Sequence, residues 1–190
     1  MERKKGIIYF CIDIAGAVLL FFIDRLSKIW ACDTLRGKDA FVLVPGVFEF
    51  SYLENYGAAF GILQNFRIFF IVMGVAFLLI MMFFLLKLPP TKKYRLLRIC
   101  FVFMAAGAAG NLYDRIFFNY VIDFIYFSYI NFPVFNVADC YVTVSTAVLI
   151  ILLLFVFREE DLDLKKINAR NGSGNTKESV QEKKEDADGR

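Results

Sequence analysis

Four apolar stretches, at about residues 7–23, 68–88, 96–112 and 137–157, constrain this chain more than any other feature of it. Each approaches the roughly 20 residues that cross a hydrocarbon core of about 30 Å at about 1.5 Å per residue. Of 190 residues, 58% are hydrophobic and 23 are Phe. A soluble domain of that size cannot hide so much apolar surface, so the solvent implied is lipid. The expectation is an all-α membrane protein with four transmembrane helices. The first stretch lacks a small-residue cleavage site, which argues against a removed signal peptide. Between the second and third, Pro89-Pro90 forces a tight break.

Basic residues set the expected orientation. Arg3, Lys4 and Lys5 precede the first span, Lys87, Lys92, Lys93 and Arg95 surround the Pro-Pro turn, and Arg158, Lys165 and Lys166 follow the fourth. Arg25, Lys28, Arg36, Lys38 and Arg67, around the first connection, dilute this bias without reversing it. Both termini and the Pro-Pro turn are therefore expected to be cytoplasmic, with the first and third connections outside. The first outer connection, about 34–65, contains Phe41-Val42-Leu43-Val44 and the run 47–53 around a Pro45-Gly46 turn. These read as two short strands, a small β-rich cradle at the membrane interface. The aromatic segment 113–135 is expected along the same outer surface. Residues 158–190 mix acids and bases with few large apolar side chains, which predicts a disordered cytoplasmic tail after a membrane domain at 1–157.

Composition also excludes chemistry. The chain contains no histidine, so Ser-His and Cys-His arrangements are ruled out. Cys11, Cys32, Cys100 and Cys140 show no metal-ligand spacing, and no metal or other cofactor is expected. Most of them border apolar runs and are read as small buried hydrophobes. A net charge of +3 is too slight to argue for nucleic acid.

What remains to be explained is the polar content of the spans. An Asp, Lys or Arg at a helix centre costs about 2.5–3.5 kcal/mol on insertion scales. Candidates are Asp13, Asp24, Lys28, Asn55, Asn111, Asp114, Arg115, Asp123, Asn136 and Asp139. Asp24 and Lys28 have the i, i+4 spacing of a helical ion pair, and a simple interfacial pair is the plainer alternative. Asp13 has no partner nearby in sequence and receives no role. Asn136 opens the fourth span, where Asn is a good cap and Asp139 complements the helix dipole. That bland account leaves out Asp123, an acid between large apolar residues in Val121-Ile122-Asp123-Phe124-Ile125. If Asp123 and Asp139 face each other, burial and repulsion raise one pKa while the other acid stays ionised. Such a pair supplies a base to activate water and an acid to protonate a leaving nitrogen.

Four blocks, taken in order, resemble the lipoprotein signal peptidases (bacterial signal peptidase II). They are Asp24-Arg25-Leu26-Ser27-Lys28; Asn55-Tyr56-Gly57-Ala58-Ala59-Phe60; Gly110-Asn111-Leu112-Tyr113-Asp114-Arg115 leading to Val121-Ile122-Asp123-Phe124; and Phe135-Asn136-Val137-Ala138-Asp139. The resemblance implies a multi-pass enzyme of the bacterial inner membrane whose active site lies near the extracytoplasmic face. It implies an aspartyl endopeptidase with Asp123 and Asp139 as its catalytic pair. Its substrates would be diacylglyceryl-modified prolipoproteins, cut on the N-terminal side of the lipidated cysteine. Asp24, Lys28, Asn55, Asn111, Arg115 and Asn136 match the family's other polar positions and would position substrate and orient the pair. Ala106-Gly107, Ser145 and Cys140 depart from the family pattern but remain small, preserving close helix approach. The run 105–110 would admit a neighbouring backbone or a signal-peptide helix, ordinary bundle packing being the plainer part of its role.

Beyond substrate and membrane lipid no partner is demanded, so a monomer is expected. The main rival is a small polytopic transporter or binding subunit using membrane-embedded acids, which usually brings polar residues to mid-bilayer and often internal repeats. A presenilin-like protease is a second rival, but its Gly-x-Gly-Asp motif is absent.

Overall fold

The computed structural model describes residues 2–57, 66–158 and 161. The chain runs α1 (Glu2–Leu35), β1 (Phe41–Val44), β2 (Phe48–Asn55), α2 (Arg67–Lys87), α3 (Arg95–Phe117), β3 (Val121–Tyr126) and α4 (Val137–Phe155). All four helices are long and apolar enough to cross a membrane.

Their polarity sorts them by position in the bundle. Along α2 only Met81 and Leu85 are buried, as suits a helix facing lipid on most sides. The least apolar span, α3, is the central one and carries Arg98 and Asp114 among its buried residues. The expected small-residue run lies here. A Cβ at Gly107 would come within 2.5 Å of the Ala138 carbonyl oxygen and 2.8 Å of Val142 Cγ2. One at Gly110 would collide with the Asp24 carboxylate. Glycine thus lets α3 touch both α4 and α1.

At the Pro89-Pro90 end of the bundle, Met81, Leu85, Leu97, Phe101, Met104, Leu152 and Phe157 form the apolar core. Phe84 stacks on Phe101 with ring centroids 5.2 Å apart. Asp13, for which the sequence offers no local partner, pairs here with Arg98 of α3. Arg98 Nη1 also donates to the carbonyls of Leu85 (2.9 Å) and Leu88 (2.7 Å), satisfying acceptors that the end of α2 leaves open. One guanidinium therefore joins α1, α2 and α3.

At the opposite end lies a three-stranded antiparallel sheet in the order β1-β2-β3. Ile122 and Phe124 of β3 pack on Ala31 and Leu35 of α1, and Trp30 meets Phe50 and Phe124 edge-on. Leu53 of β2 stands opposite Asp123, and Asn55 opposite Val121.

Several sequence expectations change. The two strands expected around Pro45-Gly46 are present, but the sheet gains a third from the segment after α3. The first helix does not stop near Ile23: α1 continues through Asp24, Arg25 and Lys28 to Leu35. Those charged residues are buried and paired rather than ending the span in water. Of the cysteines only Cys100 is buried; Cys11 is exposed, and Cys32 and Cys140 are intermediate. Nearly all of the expected tail at 158–190, and Ala58-Ala59-Phe60 of the second motif block, lie outside the described residues.

Candidate active site

The site is assembled where α4 begins. Asn136 caps the helix: its Oδ1 accepts the Asp139 N–H at 3.0 Å, and Asp139 Oδ2 accepts the Asn136 N–H at 3.2 Å. This reciprocal capping box satisfies two backbone donors and fixes both side chains. A third donor, the Ala138 N–H, is taken by Asp24 Oδ1 of α1 at 2.9 Å. The first turn of α4 is thus held by α1 as well as by itself.

Asp123 arrives from β3. Its Oδ1 accepts from Asn136 Nδ2 at 2.6 Å and its Oδ2 from Asn55 Nδ2 at 2.9 Å. Asp139 Oδ1 accepts from Asn111 Nδ2 at 2.7 Å. The two amides are linked, since Asn136 Nδ2 also donates to Asn111 Oδ1 at 3.1 Å. Lys28 Nζ donates to the same oxygen at 3.0 Å. With that oxygen committed to Lys28 and Asn136, the amino group of Asn111 faces Asp139.

Lys28 is fully buried, and its charge is balanced by Asp24 (3.0 Å) and Asp114 (2.8 Å). Asp114 also binds the Arg25 guanidinium and accepts the Ile122 N–H at 3.3 Å, next to Asp123 in β3. Two acids and two bases neutralise one another in a region where an unpaired charge would be costly. Arg25 further stacks on Tyr113, with its guanidinium carbon 4.6 Å from the ring centre.

A cavity of about 860 Å³ opens on this arrangement. Asn55, Asn111, Arg115, Asp123 and Asp139 line it; Asn136, Asp24 and Lys28 lie behind that wall. Apolar residues such as Leu53, Val121, Phe132 and Val144 complete the lining. Arg115 bridges elements, donating to Gly57 O (3.2 Å) and Asn111 O (3.3 Å) and stacking on Phe70. Burial, reinforced by the Asp139 charge and opposed by hydrogen bonds from Asn55 and Asn136, pushes the Asp123 pKa up to about 7. Among the described residues no cluster of His, Cys, Asp and Glu is gathered as a metal ion would require.

Comparison with known proteins decides the family. The family model described as signal peptidase (SPase) II matches residues 16–155. The chain belongs to the signal peptidase II family. Signal peptidase II membership makes it a membrane peptidase. A lipoprotein signal peptidase of Clostridium tetani (strain Massachusetts / E88) is 39% identical over 158 residues, covering 82% of this chain and 98% of the relative. Another, of Clostridium novyi (strain NT), is 40% identical and covers 70% of this chain and 90% of the relative. A bacterial membrane enzyme solved by the in meso method at 2.3 Å superposes with a TM-score of 0.69 at 30% identity, covering 75% of this chain and 87% of that one. A second, at 1.9 Å, gives 0.66 at 29% identity, with coverage of 77% and 94%.

The fold brings together the eight residues that the family resemblance assigns to the site, and adds Asp114; Asp13 lies instead with Arg98 at the other end of the bundle. Asp114 stands in the third motif block without an assigned role, although it lies three residues after Asn111 on the same helical face. In sequence Arg25 is one of several charges at the end of a span, and nothing local to it signals that Asp114 is its partner.

Proposed function

We propose that this peptidase removes signal peptides from diacylglyceryl-modified prolipoproteins, cutting on the N-terminal side of the lipidated cysteine, with Asp123 and Asp139 as its catalytic pair. One observation carries the reading: two carboxylates share one cavity wall and are tied through a single pair of asparagine amides. Adjacent acids in a poorly solvated site hold one proton between them. Asp123, whose pKa burial and the Asp139 charge push up to about 7, is assigned the acid's role, and Asp139 the base's.

Hydrolysis then proceeds without a covalent intermediate. Asp139 takes a proton from water as the water oxygen bonds to the scissile carbonyl carbon. Asp123 gives its proton to the amide nitrogen as the C–N bond breaks. The pair ends with its proton on Asp139, and one transfer back to Asp123 resets it. Negative charge developing on the carbonyl oxygen is matched by the Arg115 guanidinium at the cavity wall. Asn111, Asn136 and Asn55 hold the carboxylates at fixed angles, so little reorganisation is needed when charge moves.

The apolar lining and the membrane-spanning scaffold suit a substrate whose cysteine carries acyl chains. In the orientation set by the basic residues, both termini lie in the cytoplasm and the sheet and cavity lie at the outer face of the inner membrane, where an exported precursor arrives. The test is cleavage of a lipidated and an unlipidated prolipoprotein by the purified protein in detergent. Selective cleavage of the lipidated form is expected; equal rates would reject the substrate class.

A further inference from the structure

Asn55 is the last residue of β2, a place where strands fray, yet its amide must stay on Asp123. Its own orientation is set locally: Asn55 Oδ1 accepts the Gly57 N–H at 3.0 Å, which turns the amino group toward Asp123. That leaves open what holds the strand end itself. Side chains alternate along a strand, so Tyr52 and Glu54 lie on the other side of β2 from Asn55, and the hydroxyl of Tyr56, just past the strand, reaches Glu54. On that face, Glu54 Oε1 accepts from Arg36 Nη2 (2.8 Å) and the Tyr52 hydroxyl (3.2 Å), while Oε2 accepts from the Tyr56 hydroxyl (2.9 Å). Arg36 follows the end of α1, and Tyr120, whose ring lies 5.4 Å from that of Tyr56, precedes β3. Four groups from three parts of the chain therefore converge around one carboxylate, directly before Asn55.

We propose that Glu54 is a positioning residue: its carboxylate gathers Arg36, Tyr52, Tyr56 and Tyr120 and so pins the end of β2 where the Asn55 amide meets Asp123. Glu54 also borders the cavity, but Arg36, Tyr52 and Tyr56 engage its carboxylate, and its effect on Asp123 runs through Asn55. Against desolvation, which alone would raise it, hydrogen bonds from Tyr56, Tyr120 and Tyr52 and the Arg36 charge hold the Glu54 carboxyl below its ordinary pKa, so the cluster stays assembled at neutral pH. The proposal rests on the reading of Asp123 as the acid of the pair.

Charge and position act on Asp123 with opposite signs, which makes the idea testable. Asp123 faces Asn55 of β2, Asn136 and Asp139 of α4, and Lys28 of α1, with Arg115 of α3 on the same cavity. Around Glu54 stand Arg36, Tyr52, Tyr56 and Tyr120, with Cys32 of α1 against the Tyr52 hydroxyl. A donated hydrogen bond favours the ionised form of Asp123, so loosening Asn55 raises its pKa. Removing the negative charge of Glu54 while keeping its contacts lowers it.

The experiment is the pH profile of kcat/KM for a diacylglyceryl-modified peptide, using the full chain in detergent, for wild type, Glu54→Ala, Glu54→Gln and Asn55→Ala. Asn55→Ala should move the alkaline limb upward by roughly one pH unit. Glu54→Ala should move it upward by part of that amount. Glu54→Gln, whose side-chain oxygen still accepts hydrogen bonds, should leave it in place or move it slightly down. The limb's position does not depend on how much enzyme is folded, so partial unfolding lowers amplitude without mimicking the effect. If Asn55→Ala moves the limb and Glu54→Ala does not, Glu54 has no positioning role and the reading of Asp123 stands. An unmoved limb in Asn55→Ala would overturn both.

Discussion

The carboxylate of Asp24 accepts the backbone N–H of Ala138 at 2.9 Å, joining the middle of α1 to the first turn of α4. The same side chain is 3.0 Å from Lys28 Nζ. Asp24 is thus both a helix cap supplied by another helix and the counter-ion of a fully buried lysine. Asp24→Ala removes both, and breaking a buried pair costs about 3–5 kcal/mol. A fall in Tm in detergent large enough to expose the protein to aggregation is expected. Asp24→Asn, which keeps an acceptor for Ala138, should fall less; equal losses for the two variants would argue against the capping role.

The raised pKa of Asp123 predicts how stability varies with pH. In the unfolded chain its carboxyl ionises near the ordinary value of 3.8, and in the folded protein near 7. Between those values the folded state binds the extra proton, so stability falls as pH rises and levels off above the folded pKa. Asp123→Asn removes this penalty. Its Tm relative to wild type should improve from about pH 4.5 to about pH 8. A difference that stays constant with pH would contradict a buried, proton-holding Asp123.

Gly107 faces the α4 backbone with no room for a methyl group. Gly107→Ala would force α3 and α4 apart where Asn111 must reach Asp139. Overpacking typically costs about 1–3 kcal/mol, and a displacement of the reacting groups costs activity as well. Loss of kcat/KM beyond the loss of folded protein is expected. Gly6→Ala, with nothing within 4 Å of the added Cβ, is the control that should lose neither.

Arg98 and Asp13 give a contrasting prediction, because they lie at the Pro89-Pro90 end, away from the cavity. Arg98→Met leaves Asp13 unpaired and the Leu85 and Leu88 carbonyls without their donor, with an expected loss of about 3–5 kcal/mol. The double variant with Asp13→Asn should recover part of that loss. In both variants the pH profile of the folded fraction should match wild type. A shifted profile would mean that this pair is coupled to the site.

The parts legible in the sequence are those whose signal is local. Span lengths follow from composition, and Asn136 with Asp139 is a capping pattern three residues apart. The end of α1 is not legible because Asp24, Arg25 and Lys28 interrupt the apolar run, while the pairing of Arg25 and Lys28 with Asp114 is visible only in three dimensions. Strand β3 is not legible because its first four residues are all buried, which removes the alternation that marks a half-exposed strand. Asp13 and Arg98 are 85 positions apart, so neither announces the other. For the candidate site, the motif blocks supplied the residues and the fold supplied the relations among them. Which amide serves which carboxylate depends on Lys28 committing the Asn111 oxygen, and no spacing encodes that.

The most direct measurement of the central claim is the rate at which purified Asp123→Asn and Asp139→Asn release the signal peptide from a diacylglyceryl-modified prolipoprotein, compared with wild type at equal folded concentration. General acid–base groups contribute about 10²–10⁴-fold each, so both variants should lose at least about two orders of magnitude while remaining folded in detergent. Wild-type cleavage by either one would contradict the aspartate pair.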